Sequence, residues 1–270
     1  MTVADLHAIA QGAEPSIGYA VGASGTLFRY VARPQGPWKH ESLPSKADLF
    51  GVAELLGRAC AVGAGGVAVC LERADATDWT LEPTGTKQDL LGATEADGTF
   101  VAVGRHGTIV RAHRGGWTVE RSGTTVDLFA VDGRFAVGAH GTILRHDQGR
   151  WSTVDSPTTE DLFGIADERD EVVVVGARGT ILRLSDPRSG FHAEASGTDR
   201  DLRSVTKGYA GYDFIAVGAH GTIVHSMSAK QPWLAETSGT DRDLLAVSGL
   251  IPTMYALGEG GLVLSHRHGR

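Results

Sequence analysis

No stretch of this chain approaches the run of about 18 apolar residues that a membrane-crossing helix needs. Nor does any block of Lys and Arg stand out among its 25 basic residues. The first absence predicts no membrane span. The second, with a formal net charge of -7, argues against a nucleic-acid partner, whose recognition needs a basic patch. Cysteine is scarce: Cys60 and Cys70 are too few for a disulfide framework. They flank a turn on paired strands, and buried free thiols are the favoured reading, because unpaired cysteine packs as a small apolar residue. Met1 to Asp5 shows neither a basic n-region nor an apolar h-region, so a native terminus here predicts a cytoplasmic location. A P-loop, a His-x-x-x-His helix motif and a legible Ser/His/Asp or Cys/His nucleophile set are missing too. No cofactor and no metal is expected.

What is abundant is glycine, 37 residues against nine prolines in 270, without collagen periodicity. That suits many short strands joined by tight turns. The stretch Val137-Gly138-Ala139-His140-Gly141-Thr142-Ile143 reads as strand, turn, strand, and copies begin at Val21, Val62, Val103, Val175, Val217 and Leu257. Asp-Leu marks each repeat, at Asp5, Asp48, Asp89, Asp127, Asp161, Asp201 and Asp243. A large aromatic (Trp38, Trp79, Trp117, Trp151, Phe191, Trp233) sits ten residues before each later copy. One repeat reads as four short strands, in the third copy Asp89 to Ala93, Phe100 to Val103, Thr108 to Arg111 and Trp117 to Arg121. Four strands in about 40 residues mark a β-propeller blade. The expectation is therefore an all-β chain, residues 1–270 forming one seven-bladed propeller. Each hairpin is expected to be a type I turn with a G1 bulge, only its last glycine left-handed.

The pattern Leu-x-x-Val, then Val-Gly-x-x-Gly-Thr-Ile, then Trp resembles the BNR-like blades of photosystem II stability/assembly factors and their bacterial relatives. It covers almost the whole chain. The Asp-box of the wider group survives only as a trace in Asp147-Gln148-Gly149-Arg150-Trp151, and no sialidase arginine triad is present. The resemblance implies the fold, which hosts many activities, and its likeness to assembly-factor propellers tilts function toward protein–protein interaction.

Ring closure is uneven: seven Asp-Leu strands and seven hairpins meet only six aromatic strands. Blade seven is expected to have three strands, unless the natural chain is longer. Its edge, Leu262 to Ser265, would invite another strand, although His266, Arg267 and His268 read first as charges that blunt it. Thr2 matches Thr86, Thr124, Thr158, Thr198 and Thr240, each three residues before its Asp.

Before each turn's last glycine stand Ser24, Gly65, His106, His140, Arg178, His220 and Gly260. Three imidazoles and a guanidinium on successive blades suggest an anion or metal site. With strands about 4.8 Å apart, however, adjacent tips lie roughly 10 Å apart, too far for one zinc to gather His106, His140 and His220. Exposed turn tips are the plainer reading. The seven aspartates are expected to accept backbone N–H groups as local caps. The tryptophans are expected to pack between blades. Arg200 and Arg242, in the triplets Asp199-Arg200-Asp201 and Asp241-Arg242-Asp243, could lean over the channel beside Arg178 and His220.

The function favoured is a non-enzymatic binding scaffold that uses the Val-Gly-x-x-Gly face and channel mouth, most readily for a protein partner, with a small anionic ligand as a second candidate. His106, His140, Arg178, Arg200, His220 and Arg242 are its candidate ligand-binding residues. Second comes an enzyme with His106, His140 or His220 as acid/base and arginine steering an anionic substrate. A glycan-binding lectin is third.

Overall fold

The computed structural model describes residues 4–11, 17–31, 38–113, 116–168, 171–186, 188–208, 213–228, 231–250 and 253–267. Thr2 and His268, singled out above, lie outside them. Among the described residues, seven antiparallel sheets follow one another around a central channel, six of four strands and the last of three. Within each sheet, space follows sequence. Blade 3 runs Leu90–Ala96, Thr99–Gly104, Ile109–His113 and Gly116–Glu120. Blade 7 comprises Leu244–Leu250, Thr253–Gly258 and Leu262–Arg267. The first strand of each blade is innermost and packs beside its counterparts in both neighbouring blades, that of blade 7 against that of blade 1.

The hairpin between second and third strands departs from the expected type. Thr142 N–H bonds to Ala139 O, and both residues between are left-handed, His140 at φ 56° and Gly141 at φ 69°. This is a two-residue type I′ turn, whose twist matches that of the flanking strands. All seven hairpins share it, so Ser24, His106, His140, Arg178 and His220 hold positive φ without being glycine. Histidine is among the few residue types that enter this region with some frequency, which gives the three turn histidines a conformational reason to be there.

The glycines on either side are demanded by close approach. A Cβ on Gly138 would lie 2.0 Å from the carbonyl oxygen of Asp127 in the same blade. One on Gly141 would lie 2.0 Å from that of Thr158 in the connection to the next blade.

Between blades, apolar clusters form the core, and five of them contain a buried outer-strand aromatic. Trp233 of blade 6, for example, sits among Val173, Val175 and Ile181 of blade 5 and Val205, Phe214 and Val224 of its own blade. The inter-blade role expected for the tryptophans is what the geometry gives.

Sequence reasoning missed their partner, the glutamate three residues after the aromatic of the preceding blade. Glu82, Glu120 and Glu194 each accept a hydrogen bond from an arginine of their own blade (Arg58, Arg111, Arg183). Each also accepts the indole N–H of the next blade's tryptophan (Trp117, Trp151, Trp233) at 2.7–2.8 Å. Blade 4 has Val154 at this position, and blade 5 correspondingly presents Phe191, which has no N–H to satisfy.

Cys60 and Cys70 are a disulfide, not free thiols. The two-residue turn puts them directly opposite each other on adjacent strands, and both are fully buried between blades 2 and 3.

Candidate functional site

The rim of the Val-Gly-x-x-Gly face is held by the seven Asp-Leu aspartates. Each backbone carbonyl accepts the N–H of its own blade's turn, as in Ala139 N–H to Asp127 O at 2.9 Å. Each carboxylate accepts the N–H of the preceding blade's turn tip: Ser24 to Asp48, Gly65 to Asp89, His106 to Asp127, His140 to Asp161, Arg178 to Asp201 and His220 to Asp243, at 2.7–3.0 Å. Gly260 to Asp5, at 2.7 Å, closes the circle. The expected local capping role holds, with the addition that every cap links two blades. Partial burial works against ionisation of Asp127, but the His106 N–H and the Arg105 guanidinium outweigh it and hold that carboxyl below its usual range.

The candidate residues His106, His140, Arg178 and His220 are exposed on this rim, and none of them lines the channel. His106 Nδ1 lies 3.0 Å from Gln88 Oε1. Arg178 forms an ion pair with Glu160 and shares a shallow peripheral groove with Arg200. Arg200 has Asp199 at 3.9 Å, and Arg242 bonds the carbonyl of Glu259 at 3.2 Å. Neither Arg200 nor Arg242 lines the channel; both lie at the end of the connection, two residues ahead of the first strand. The structure therefore brings the six candidates onto one face, with Arg178 and Arg200 on one shallow groove, and does not gather all six into one site.

A different set does converge. In every blade the register of the first strand slips by one residue just after Asp-Leu. The extra residue of such a bulge is unpaired and its side chain is re-aimed. These residues are His7, Phe50, Leu91, Phe129, Phe163, Arg203 and Leu245, and all seven line the channel and are half-buried.

They also touch around the ring. His7 and Phe50 rings lie 5.4 Å apart, Phe129 and Phe163 5.6 Å, and the Arg203 guanidinium stands 4.6 Å above Phe163 while pairing with Asp201 at 3.1 Å. Its one trace in the sequence is the position after Asp-Leu, which varies among aromatic, aliphatic and cationic residues.

Beneath this ring, small residues such as Gly51, Gly92 and Gly164 let neighbouring inner strands approach closely. A Cβ on Gly51 would lie 2.8 Å from Ala93 N. The channel they enclose is about 440 Å³.

At its far end sits Asp132, another residue sequence reasoning passed over. Burial pushes its carboxyl up to about 6, although hydrogen bonds from Asp167 N–H at 2.9 Å and Thr94 Oγ1 at 3.0 Å pull the other way.

No protein-family model and no curated protein matches the sequence. Solved structures match it in three dimensions. YCF48 bound to D1 peptide is 15% identical with a TM-score of 0.78, the match covering 99% of this chain and 93% of that one. YCF48 from Cyanidioschyzon merolae is 15% identical at 0.77, covering 98% and 96%. The WD40 propeller domain of Doa1 is 11% identical at 0.81, covering 97% and 92%. At such identities the likeness concerns architecture alone, and that architecture is the seven-bladed β-propeller read from the repeats.

Proposed function

We propose that this chain is a non-enzymatic scaffold that binds a protein partner on the Val-Gly-x-x-Gly face, taking an extended segment of it across the channel mouth. One observation carries the reading. On a rim whose aspartates and turns are committed to holding blades together, the bulge ring is the equivalent set that presents varied, half-exposed side chains. Five are large and apolar, and His7 and Arg203 add polar anchors. Aromatic residues and arginine are the side chains that dominate binding energy in protein interfaces. YCF48, which shares the fold, has been seen bound to D1 peptide, so a propeller of this shape can take a peptide. The enzyme reading finds less support, since its imidazoles stand on exposed tips outside the channel. A small anion would find Arg105, Arg178 and Arg203 already paired with carboxylates.

The test is selection of a phage-displayed random 12-residue peptide library against the purified chain. Selected peptides should bind the wild type and lose at least tenfold in affinity for a Phe129→Ser/Phe163→Ser variant that keeps its fold. Substituting His140 and His220 should matter less. Peptides insensitive to the Phe pair and sensitive to the histidines would overturn the proposed location.

A further inference from the structure

Between blades 6 and 7 lies an apolar cavity of about 190 Å³ lined by Ile215, Val217 and Ile223 of blade 6 and Val247, Met254 and Leu264 of blade 7, with Glu236 at its wall. These positions are the blade 6–7 counterparts of those that surround Trp233 between blades 5 and 6. The cavity is thus the socket for an outer-strand aromatic, and among the described residues blade 7 has no outer strand to fill it.

Two further signs fit the same vacancy. Glu236 corresponds to Glu82, Glu120 and Glu194, which each accept an indole N–H from the following blade. His225 Nδ1 lies 3.6 Å from its carboxylate, and among the described residues no indole donates to it. Trp38 of blade 1 has a buried Nε1 without a hydrogen-bond partner, where the other pattern would put a glutamate from blade 7. Trp79 is also unpaired, although Glu41 stands in the corresponding place of blade 1 and pairs with Arg29 at 2.9 Å.

The exposed edge completes the case. In blades 1 and 2 the carbonyls of Leu27 and Ala68 accept the N–H of the outer-strand glutamate, Glu41 and Glu82. Val263 occupies the same place in blade 7, with its side chain 46% exposed.

We infer that the blade 7 edge Leu262–Arg267 takes up, as a fourth strand, an extended segment of a partner polypeptide with the pattern Trp-x-x-Glu. Its tryptophan fills the socket and donates to Glu236, and its glutamate accepts from Trp38. Strand addition of this kind takes affinity from main-chain bonds and specificity from pockets for alternate side chains. The chain's own outer strands, Trp38 to Glu41, Trp79 to Glu82, Trp117 to Glu120 and Trp233 to Glu236, supply the template. The surface lies on the propeller's side, away from the channel mouth, so its test stands apart from that of the proposed function.

The probe is a synthetic, fluorescein-labelled peptide copying residues 232–241 of this chain, titrated by anisotropy against the purified protein. One-to-one binding is expected, with at least a tenfold loss when the peptide tryptophan becomes Ala and a smaller loss when its glutamate becomes Gln. The Glu effect should disappear against a Trp38→Phe protein. Ser265→Pro, on the outer edge, should abolish binding. Since the peptide substitutions leave the protein untouched, their outcome does not depend on variant folding. No binding, binding indifferent to the tryptophan, or a dimer of the chain that seals the edge would each overturn the inference.

Discussion

A histidine at a left-handed turn position has two physical reasons to be there, its backbone tolerance and its imidazole, and a substitution separates them. Gly65 and Gly260 already occupy the same turn position at φ 65° and 60°. His140→Gly should therefore be neutral or stabilising by up to about 1 kcal/mol, because left-handed backbone costs an L-residue roughly 1–2 kcal/mol and glycine gives back about half of that as chain entropy. Gly141→Ala should cost about 3 kcal/mol or more, since its Cβ meets the Thr158 carbonyl. Urea denaturation of both variants decides it. A loss above about 1 kcal/mol in His140→Gly would show that the imidazole itself holds something.

Asp132 makes the second residue-scale case. Its carboxyl titrates at about 6 in the folded protein against about 3.9 unfolded, so the folded state keeps a proton that the unfolded chain gives up. The associated stability is complete below about pH 4 and is lost as pH rises through 6, a change of at most about 3 kcal/mol. Asp132→Asn should flatten the stability profile between those limits. An unchanged slope would assign the titration to another group.

At the scale of strands and blades, the glutamate bridge is the device that ties an outer strand to its neighbour. Glu120 spans Arg111 and Trp151, so a double-mutant cycle of Glu120→Ala and Trp151→Phe should show a coupling of roughly 1–2 kcal/mol. Val154 and Phe191 provide the internal contrast, an apolar pair doing the same packing without it. A coupling below about 0.3 kcal/mol would reduce the bridge to coincidence of packing.

This level also shows what could be read from residue order. Blades, strand order and the short seventh sheet were legible because each depends on local spacing: the Asp-Leu period, the paired glycines, the aromatic ten residues ahead. The Cys60–Cys70 bond was not, because whether the two face each other depends on the hairpin's loop length, and a two-residue I′ turn was read as a three-residue loop. The bulge ring was hidden for a related reason. A one-residue slip turns a side chain to the other face, and nothing at His7 or Phe129 announces the slip except its repetition at seven places. The candidate tips at His106, His140, Arg178 and His220 stood out by chemistry, yet their shared feature is backbone conformation.

Taken as a closed ring, the molecule is only as firm as its weakest junction, and the structure makes the seam identifiable. Blades 7 and 1 meet through the buried residues Leu6, Ala20, Ala246 and Leu257, with Phe28 and Trp38 only partly covered. The Asp5–Gly260 bond joins their rims. Every other outer aromatic closes on a neighbour with a complete outer strand, whereas Trp38 closes on a three-stranded sheet. Local openings draw on the least buried, least bonded parts of a structure. Amides of Thr253–Gly258 and Leu262–Arg267 should therefore exchange with solvent before those of the second and third strands of blades 2 to 5. Asp5→Ala should speed exchange in blade 7 by about tenfold, the equivalent of about 1.4 kcal/mol, while Asp127→Ala should leave blade 7 alone and loosen the junction of blades 3 and 4. Hydrogen exchange read by mass spectrometry distinguishes the two. If all seven blades open together at one rate in both variants, the ring behaves as a single cooperative unit and has no seam.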